Sequence, residues 1–121
     1  MVKVRSYLLY RLQKLEVNNM TIKIQGYNFE GPFTKVVDLE DRSGVYAILD
    51  RRNDGLYVVD VGESSEVKTR ISNHDRKPCW SNSSKGKLAV AVRYTPGLQQ
   101  SGRKSIEQDI RDEYHPSCGD R

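Results

Sequence analysis

The sequence predicts an α+β domain in which a small antiparallel three-stranded sheet is flanked by helices, and three observations lead there. Two β-rich runs, residues 45–49 and 56–61, enclose an Asp54-Gly55 turn and so form a hairpin. A third run, residues 88–94, is almost continuously apolar, as a strand covered on both faces is. Two stretches with helical spacing of apolar residues follow the hairpin and this third strand. The resulting order, strand, strand, helix, loop, strand, helix, fits an antiparallel α+β domain better than a doubly wound one.

Residues 1–19 set Val4, Leu8, Leu12 and Leu15 at near-helical spacing with Arg11, Lys14 and Glu16 between them, a short amphipathic helix that Asn18-Asn19 ends. They read as an N-terminal extension, with residues 20–121 as the single domain. Residues 21–25 alternate Ile22 and Ile24 with polar neighbours, a weak strand signal, and Gly31-Pro32 marks a turn. The hairpin carries a longer polar loop at residues 51–55. After Gly62, Ser64 or Ser65 caps a helix with Glu66 in its first turn and Val67 and Ile71 as an apolar i, i+4 pair, running to about Asp75. Residues 76–87 mix Pro, Gly, Ser and Asn and read as loop. The last helix starts near Ser101 or Gly102, aligns Ile106, Ile110 and Tyr114, and stops before Pro116.

A chain of 121 residues has room for one core, and 36% hydrophobic with 30% charged residues describes a globular protein with polar loops. No stretch approaches the roughly 20 apolar residues that span a bilayer. The expectation is a cytoplasmic protein without a membrane partner. Two cysteines, Cys79 and Cys118, are too few for a disulfide scaffold and read as reduced thiols. The net charge of +4 fits a polyanionic partner, and its distribution says more than its size. Between Lys68 and Lys104 the cations Arg70, Arg76, Lys77, Lys85, Lys87, Arg93 and Arg103 stand against Asp75 alone, an excess suited to a phosphate backbone.

On a helical wheel with Val67 at zero, Ile71 falls at roughly 40°, His74 at roughly −20° and Arg70 at roughly −60°. Arg70 and His74 thus share the edge of the apolar face. They are either a surface cation beside a packed histidine or a pair aimed at one site. In the last helix Glu107 lies roughly 100° from Ile106 and borders the buried stripe. A carboxylate there needs a cation, and Arg103 four residues earlier or a metal supplies one.

Read in order, Gly44-Val45-Tyr46, Asp60-Val61-Gly62-Glu63-Ser64, Arg70, His74, Ile106-Glu107 and Tyr114-His115-Pro116 resemble the GIY-YIG nuclease family across residues 44–119. Two positions depart from that pattern. The family's second triplet carries a tyrosine where this chain has Asp60, and its late asparagine falls at Gly119. Tyr57 lies three positions from Asp60, which on a regular strand is the opposite face. The resemblance implies hydrolysis of a nucleic-acid phosphodiester, as a DNA endonuclease, with Mg²⁺ or Mn²⁺ held by Glu107. It implies that Tyr46 activates or orients the attacking water, that Arg70 stabilises phosphoryl charge, and that His74 shares proton transfer or fixes the water. Asp60 is then a second metal ligand or a base, or else an aspartate at the strand's end that accepts backbone amides.

Two rival readings follow from the same residues. His74, Cys79, His115 and Cys118 form two short pairs that zinc could join. A catalytically impaired nucleic-acid-binding module on the same fold keeps the basic face, with Trp80 stacking on a base or covering the core edge.

Overall fold

The computed structural model describes residues 21–119, so the helix expected in residues 1–19 lies outside the described residues. The sheet has five strands rather than three, in the order β1-β2-β5-β3-β4, and every neighbouring pair is antiparallel. The elements are β1 (Thr21–Ile24), β2 (Tyr27–Phe33), β3 (Gly44–Arg52), β4 (Gly55–Ser64), α1 (Val67–Ser72), α2 (Lys77–Ser83), β5 (Lys87–Tyr94) and α3 (Gln100–Tyr114).

The two additional strands form a hairpin whose two-residue loop, Gln25-Gly26, has φ of 52° and 81°. Positive φ at both positions is the turn that suits the right-handed twist of paired strands. Gly31-Pro32, expected to end a segment, lies inside β2 instead. Proline donates no hydrogen bond to a ladder, and here it falls where the register against β5 shifts between Glu30 and Phe33. The β3–β4 loop is also shorter than its polar sequence implies. Arg52 pairs with Gly55, leaving only Asn53-Asp54 between the strands.

Strand β3 lies between β5 and β4 with both faces covered, and residues 44–50 are therefore all buried. One face carries Val45, Ala47 and Leu49 against Ile106, Ile110 and Tyr114 of α3. The other carries Tyr46 and Ile48 against Val67, Ile71 and Trp80 of α1 and α2. Residues 77–83 are thus helix and not loop. Pro78 sits in the first turn, where no partner for an N–H is needed, and Trp80 supplies the buried anchor.

Helix α1 is set by contacts from outside its own sequence. Ser64 accepts the Glu66 amide through Oγ at 2.9 Å, but the helix takes its true cap from Asp41, which accepts the Thr69 N–H at 2.9 Å and its hydroxyl at 2.7 Å. Those bonds hold the Asp41 carboxyl below its ordinary pKa. The helix ends at Ser72, earlier than Asp75, so His74 leaves it on the following turn.

Candidate functional site

Tyr46 is the cross-strand partner of Gly62, and its ring lies where a side chain at 62 would stand. A Cβ there would be 2.3 Å from Tyr46 Oη and 2.5 Å from Cζ. The glycine of the second triplet therefore makes room for the tyrosine of the first. Gly62→Ala is expected to displace the phenol at a cost of about 1–3 kcal/mol, the usual range for overpacking. A urea titration together with loss of the Tyr46–His74 signal in NMR checks this, and an unperturbed variant would contradict it.

His74 Nε2 lies 2.8 Å from Tyr46 Oη, while His74 Nδ1 accepts the Arg76 backbone N–H at 3.0 Å. An acceptor at Nδ1 assigns the ring proton to Nε2, so a neutral His74 donates to the tyrosine oxygen. Burial, reinforced by Arg70 and Arg76, drives the His74 pKa down to about 4. The 3.4 Å approach of Asp75 to Nδ1 is consequently no ion pair at neutral pH. Burial likewise raises the Tyr46 pKa to about 12, against the opposing pull of the Arg70 charge.

A pH dependence follows. His74 titrates at 6.5 when unfolded and about 4 when folded, so its contribution to stability is complete above 6.5 and is lost as pH falls toward 4. The loss amounts to about 3 kcal/mol at most. Unfolding of wild type and His74→Gln in urea should show the wild type losing about 2 kcal/mol more than the variant between neutral pH and pH 4. Parallel profiles would contradict it.

Arg70 is partly exposed and pairs at 3.1 Å with Asp75, a surface contact of little energetic weight that an anionic ligand can replace. The structure thus brings Tyr46, Arg70 and His74 together. Glu107 comes from the other side of β4, which is the edge strand. One turn before it, Arg103 binds Glu63 at 2.8 Å; one turn after it, Arg111 binds Asp60 at 2.8 Å. These two contacts bracket Glu107 along β4 at the level of Val61 and Gly62, the latter beneath the Tyr46 ring.

The Arg103–Glu107 pair expected from spacing is therefore replaced by Glu107–Arg111, at 3.2 Å between Oε2 and Nε. The i, i+4 order with the acid first is the more favourable one, and that signal was present in the sequence. Arg76 and Arg111 had no motif to announce them.

Asp60 lies in the middle of β4 and not at its end, and it is fully buried. Its Oδ2 accepts from Arg76 Nε and Trp80 Nε1, each at 2.7 Å; its Oδ1 accepts from Arg111 at 2.8 Å, Arg76 Nη2 at 3.2 Å and the Val61 amide at 2.8 Å. Of the readings open for it, acceptance of a backbone amide is observed, joined by two guanidinium groups and an indole. A bulge between Ile48 and Leu49 also changes the parity of β4. Ile48 pairs with Asp60 and Asp50 with Tyr57, which puts Tyr57 on the same face as Asp60, although its hydroxyl is held by Asp54 at the hairpin tip. Trp80 is 5% exposed, so it covers the core edge and offers no face to a base.

Cys79 and Cys118 are not reduced thiols but a disulfide, S–S 2.04 Å, joining α2 to the segment after α3. Both thiolates that zinc would require are consumed, and both ring nitrogens of His74 are engaged. Among the described residues no group of three or more His, Cys, Asp or Glu could hold a metal ion, and no helix is long and apolar enough to cross a membrane.

The structure is similar to that of the GIY-YIG N-terminal endonuclease domain of UvrC from Thermotoga maritima, solved as a point mutant bound to its catalytic divalent cation. The TM-score is 0.52 at 11% identity, covering 71% of this chain and 91% of that one. The fold is GIY-YIG-like. At that identity the likeness speaks for the fold alone. No protein-family model matches the chain, and no curated protein does.

Proposed function

We propose that this chain is a divalent-metal-dependent nuclease that hydrolyses a phosphodiester bond of DNA. The observation that carries the reading is the Tyr46–His74 hydrogen bond with the Arg70 charge beside it, together with Glu107 on α3 between the Arg103–Glu63 and Arg111–Asp60 contacts to the edge strand β4. A single carboxylate fits a hard cation that keeps most of its water, and Glu107 Oε1 has no protein hydrogen bond among the described residues. Bound there, Mg²⁺ or Mn²⁺ supplies Lewis-acid stabilisation of the leaving oxygen.

The protein's own groups would divide the remaining work. Arg70 presents its guanidinium to the phosphoryl oxygens as their charge grows. Tyr46 keeps its proton at neutral pH, because its pKa is about 12, and so it orients water or phosphate by donating rather than by acting as a base. Its oxygen accepts from His74, which leaves the hydroxyl hydrogen for another partner. His74 fixes that geometry and carries no proton to or from the substrate. Asp60 anchors Arg76 and Arg111 and takes no part as a base.

The test is nicking of supercoiled plasmid and cleavage of single-stranded DNA with Mg²⁺ or Mn²⁺. Activity should vanish with chelator and return with metal. Cleavage indifferent to chelator would overturn the reading.

A second reading, a nucleic-acid-binding module without catalysis, draws on a concavity of about 530 Å³ at the end of the β3–β4 hairpin. Arg51, Lys85 and Lys87 line it, form no ion pair among the described residues, and leave Arg51 Nε buried without a partner. It lies about 17 Å along β3 from Tyr46, at 3.3 Å per residue. Lys85→Glu with Lys87→Glu should weaken DNA binding and reduce the salt slope by about two, with little effect if the concavity is unused.

A further inference from the structure

We infer that Arg111 is a positioning residue for Glu107, and that Asp60 and Gly119, the two departures from the family's pattern, are both shaped around its guanidinium. The inference rests on the metal-dependent reading proposed above.

Arg111 is 3% exposed, and its donors reach three different parts of the chain. Nε donates to Glu107 Oε2 at 3.2 Å, Nη1 to the Cys118 carbonyl at 3.0 Å, and Nη2 to Asp60 Oδ1 at 2.8 Å and to the Val61 carbonyl. A planar fork held at all three nitrogens has one orientation. Glu107 therefore has one oxygen pinned, and the other, Oε1, is left for a single ligand. The charge balance supports this arrangement. Asp60 stands beside Arg111 as a buried counter-ion, so Glu107 is not the only anion that must compensate the guanidinium.

Gly119 completes the enclosure. A Cβ at that position would stand 2.4 Å from Arg111 Nη2, 2.8 Å from Nη1 and 2.9 Å from Cζ. Any side chain there displaces the guanidinium. An aspartate at 60 and the absence of a side chain at 119 are therefore two conditions of one group, a buried arginine reaching from α3 around the edge of β4.

Mn²⁺ binding measured by EPR of the free ion, without substrate, tests the inference. The samples are the wild-type chain, Arg111→Lys, Gly119→Ala and, as baseline, Glu107→Ala. Lysine keeps the charge and removes the fork, which separates orientation from electrostatics. Both Arg111→Lys and Gly119→Ala should retain the far-UV CD spectrum and bind Mn²⁺ about tenfold or more weakly, the scale on which supporting contacts tune a metal ligand. Folded variants with wild-type or tighter Mn²⁺ affinity would overturn the inference and leave the nuclease reading standing, since a purely structural arginine lowers thermal stability without moving metal affinity. Should Arg111→Lys not fold, Arg111→Gln takes its place, because Gly119 has a φ of 92° at which alanine is strained apart from any contact with the guanidinium. A wild-type chain that binds Mn²⁺ no better than Glu107→Ala would remove the nuclease reading and this inference with it.

Discussion

Glu107→Ala should reduce metal-dependent DNA cleavage by about 10³-fold or more, which corresponds to roughly 4 kcal/mol of lost transition-state stabilisation. The fold should hardly respond. Glu107 is partly exposed, its one side-chain bond among the described residues is to Arg111 at 3.2 Å, and Arg111 keeps Asp60 and two backbone carbonyls when the carboxylate is gone. A change in melting temperature of a few degrees is expected, from about 1 kcal/mol at most. The combination of large kinetic loss and small thermal change separates a ligand from a structural carboxylate. Single-turnover cleavage of a labelled duplex and calorimetry on the same samples would measure both, and a variant that cuts at the wild-type rate would contradict the assignment.

Asp60→Asn should do the reverse and act first on stability. The carboxylate is wholly buried and receives two guanidinium groups, the Trp80 indole and a backbone amide. Neutralising it leaves Arg76 without a carboxylate partner and Arg111 with Glu107 alone, and the amide nitrogen of asparagine turns a donor toward other donors. Breaking a buried pair in this way costs about 3–5 kcal/mol. Since Arg76 is partly exposed and recovers some hydration, the lower end is expected, about 3 kcal/mol and on the order of 15 °C in melting temperature. Thermal unfolding followed by CD checks it. A loss below about 1 kcal/mol would mean that the carboxylate is dispensable to the fold, and would reopen its reading as a base or ligand.

The two predictions also mark what the sequence could and could not disclose. The hairpin, the buried third strand and both periodic helices were legible because each has a local signature: Asp54-Gly55, the near-continuous apolar run before Pro96, and the spacings Val67/Ile71 and Ile106/Ile110/Tyr114. Of the β1–β2 hairpin only β1 showed, as the alternation of Ile22 and Ile24; β2 did not, because Gln25-Gly26 is a quiet turn sequence and Gly31-Pro32 sits at a register shift that looks like a break when read one residue at a time. Helix α2 was hidden for a related reason. Its sequence is rich in loop formers, and what holds it is tertiary: Trp80 against the core, its indole on Asp60, and Cys79 bonded to Cys118.

The ordered motif pointed to Tyr46, Arg70, His74 and Glu107 as the residues of the proposed site, but the partners of each came only with three dimensions. The parity of β4 is set by a bulge that leaves no trace in the sequence, and it moves Tyr57 to the face it was expected to avoid. His74 was legible as a histidine at the edge of an apolar face. Its role as a neutral donor to Tyr46 depends on an amide two residues further along, that of Arg76. The basic run from Lys68 to Lys104 likewise divides once folded: Arg76 and Arg103 turn inward onto Asp60 and Glu63, while Lys85 and Lys87 face the concavity at the hairpin end.

The most direct measurement is nicking of supercoiled DNA by wild type, Tyr46→Phe, Arg70→Ala and Glu107→Ala purified side by side in Mg²⁺ and in Mn²⁺. The proposed site predicts metal-dependent nicking by the wild type, a fall of about 10²-fold or more in Tyr46→Phe and Arg70→Ala, and the deepest loss in Glu107→Ala. The same residual rate in all four proteins would contradict it, because activity that ignores Tyr46, Arg70 and Glu107 does not arise at this site.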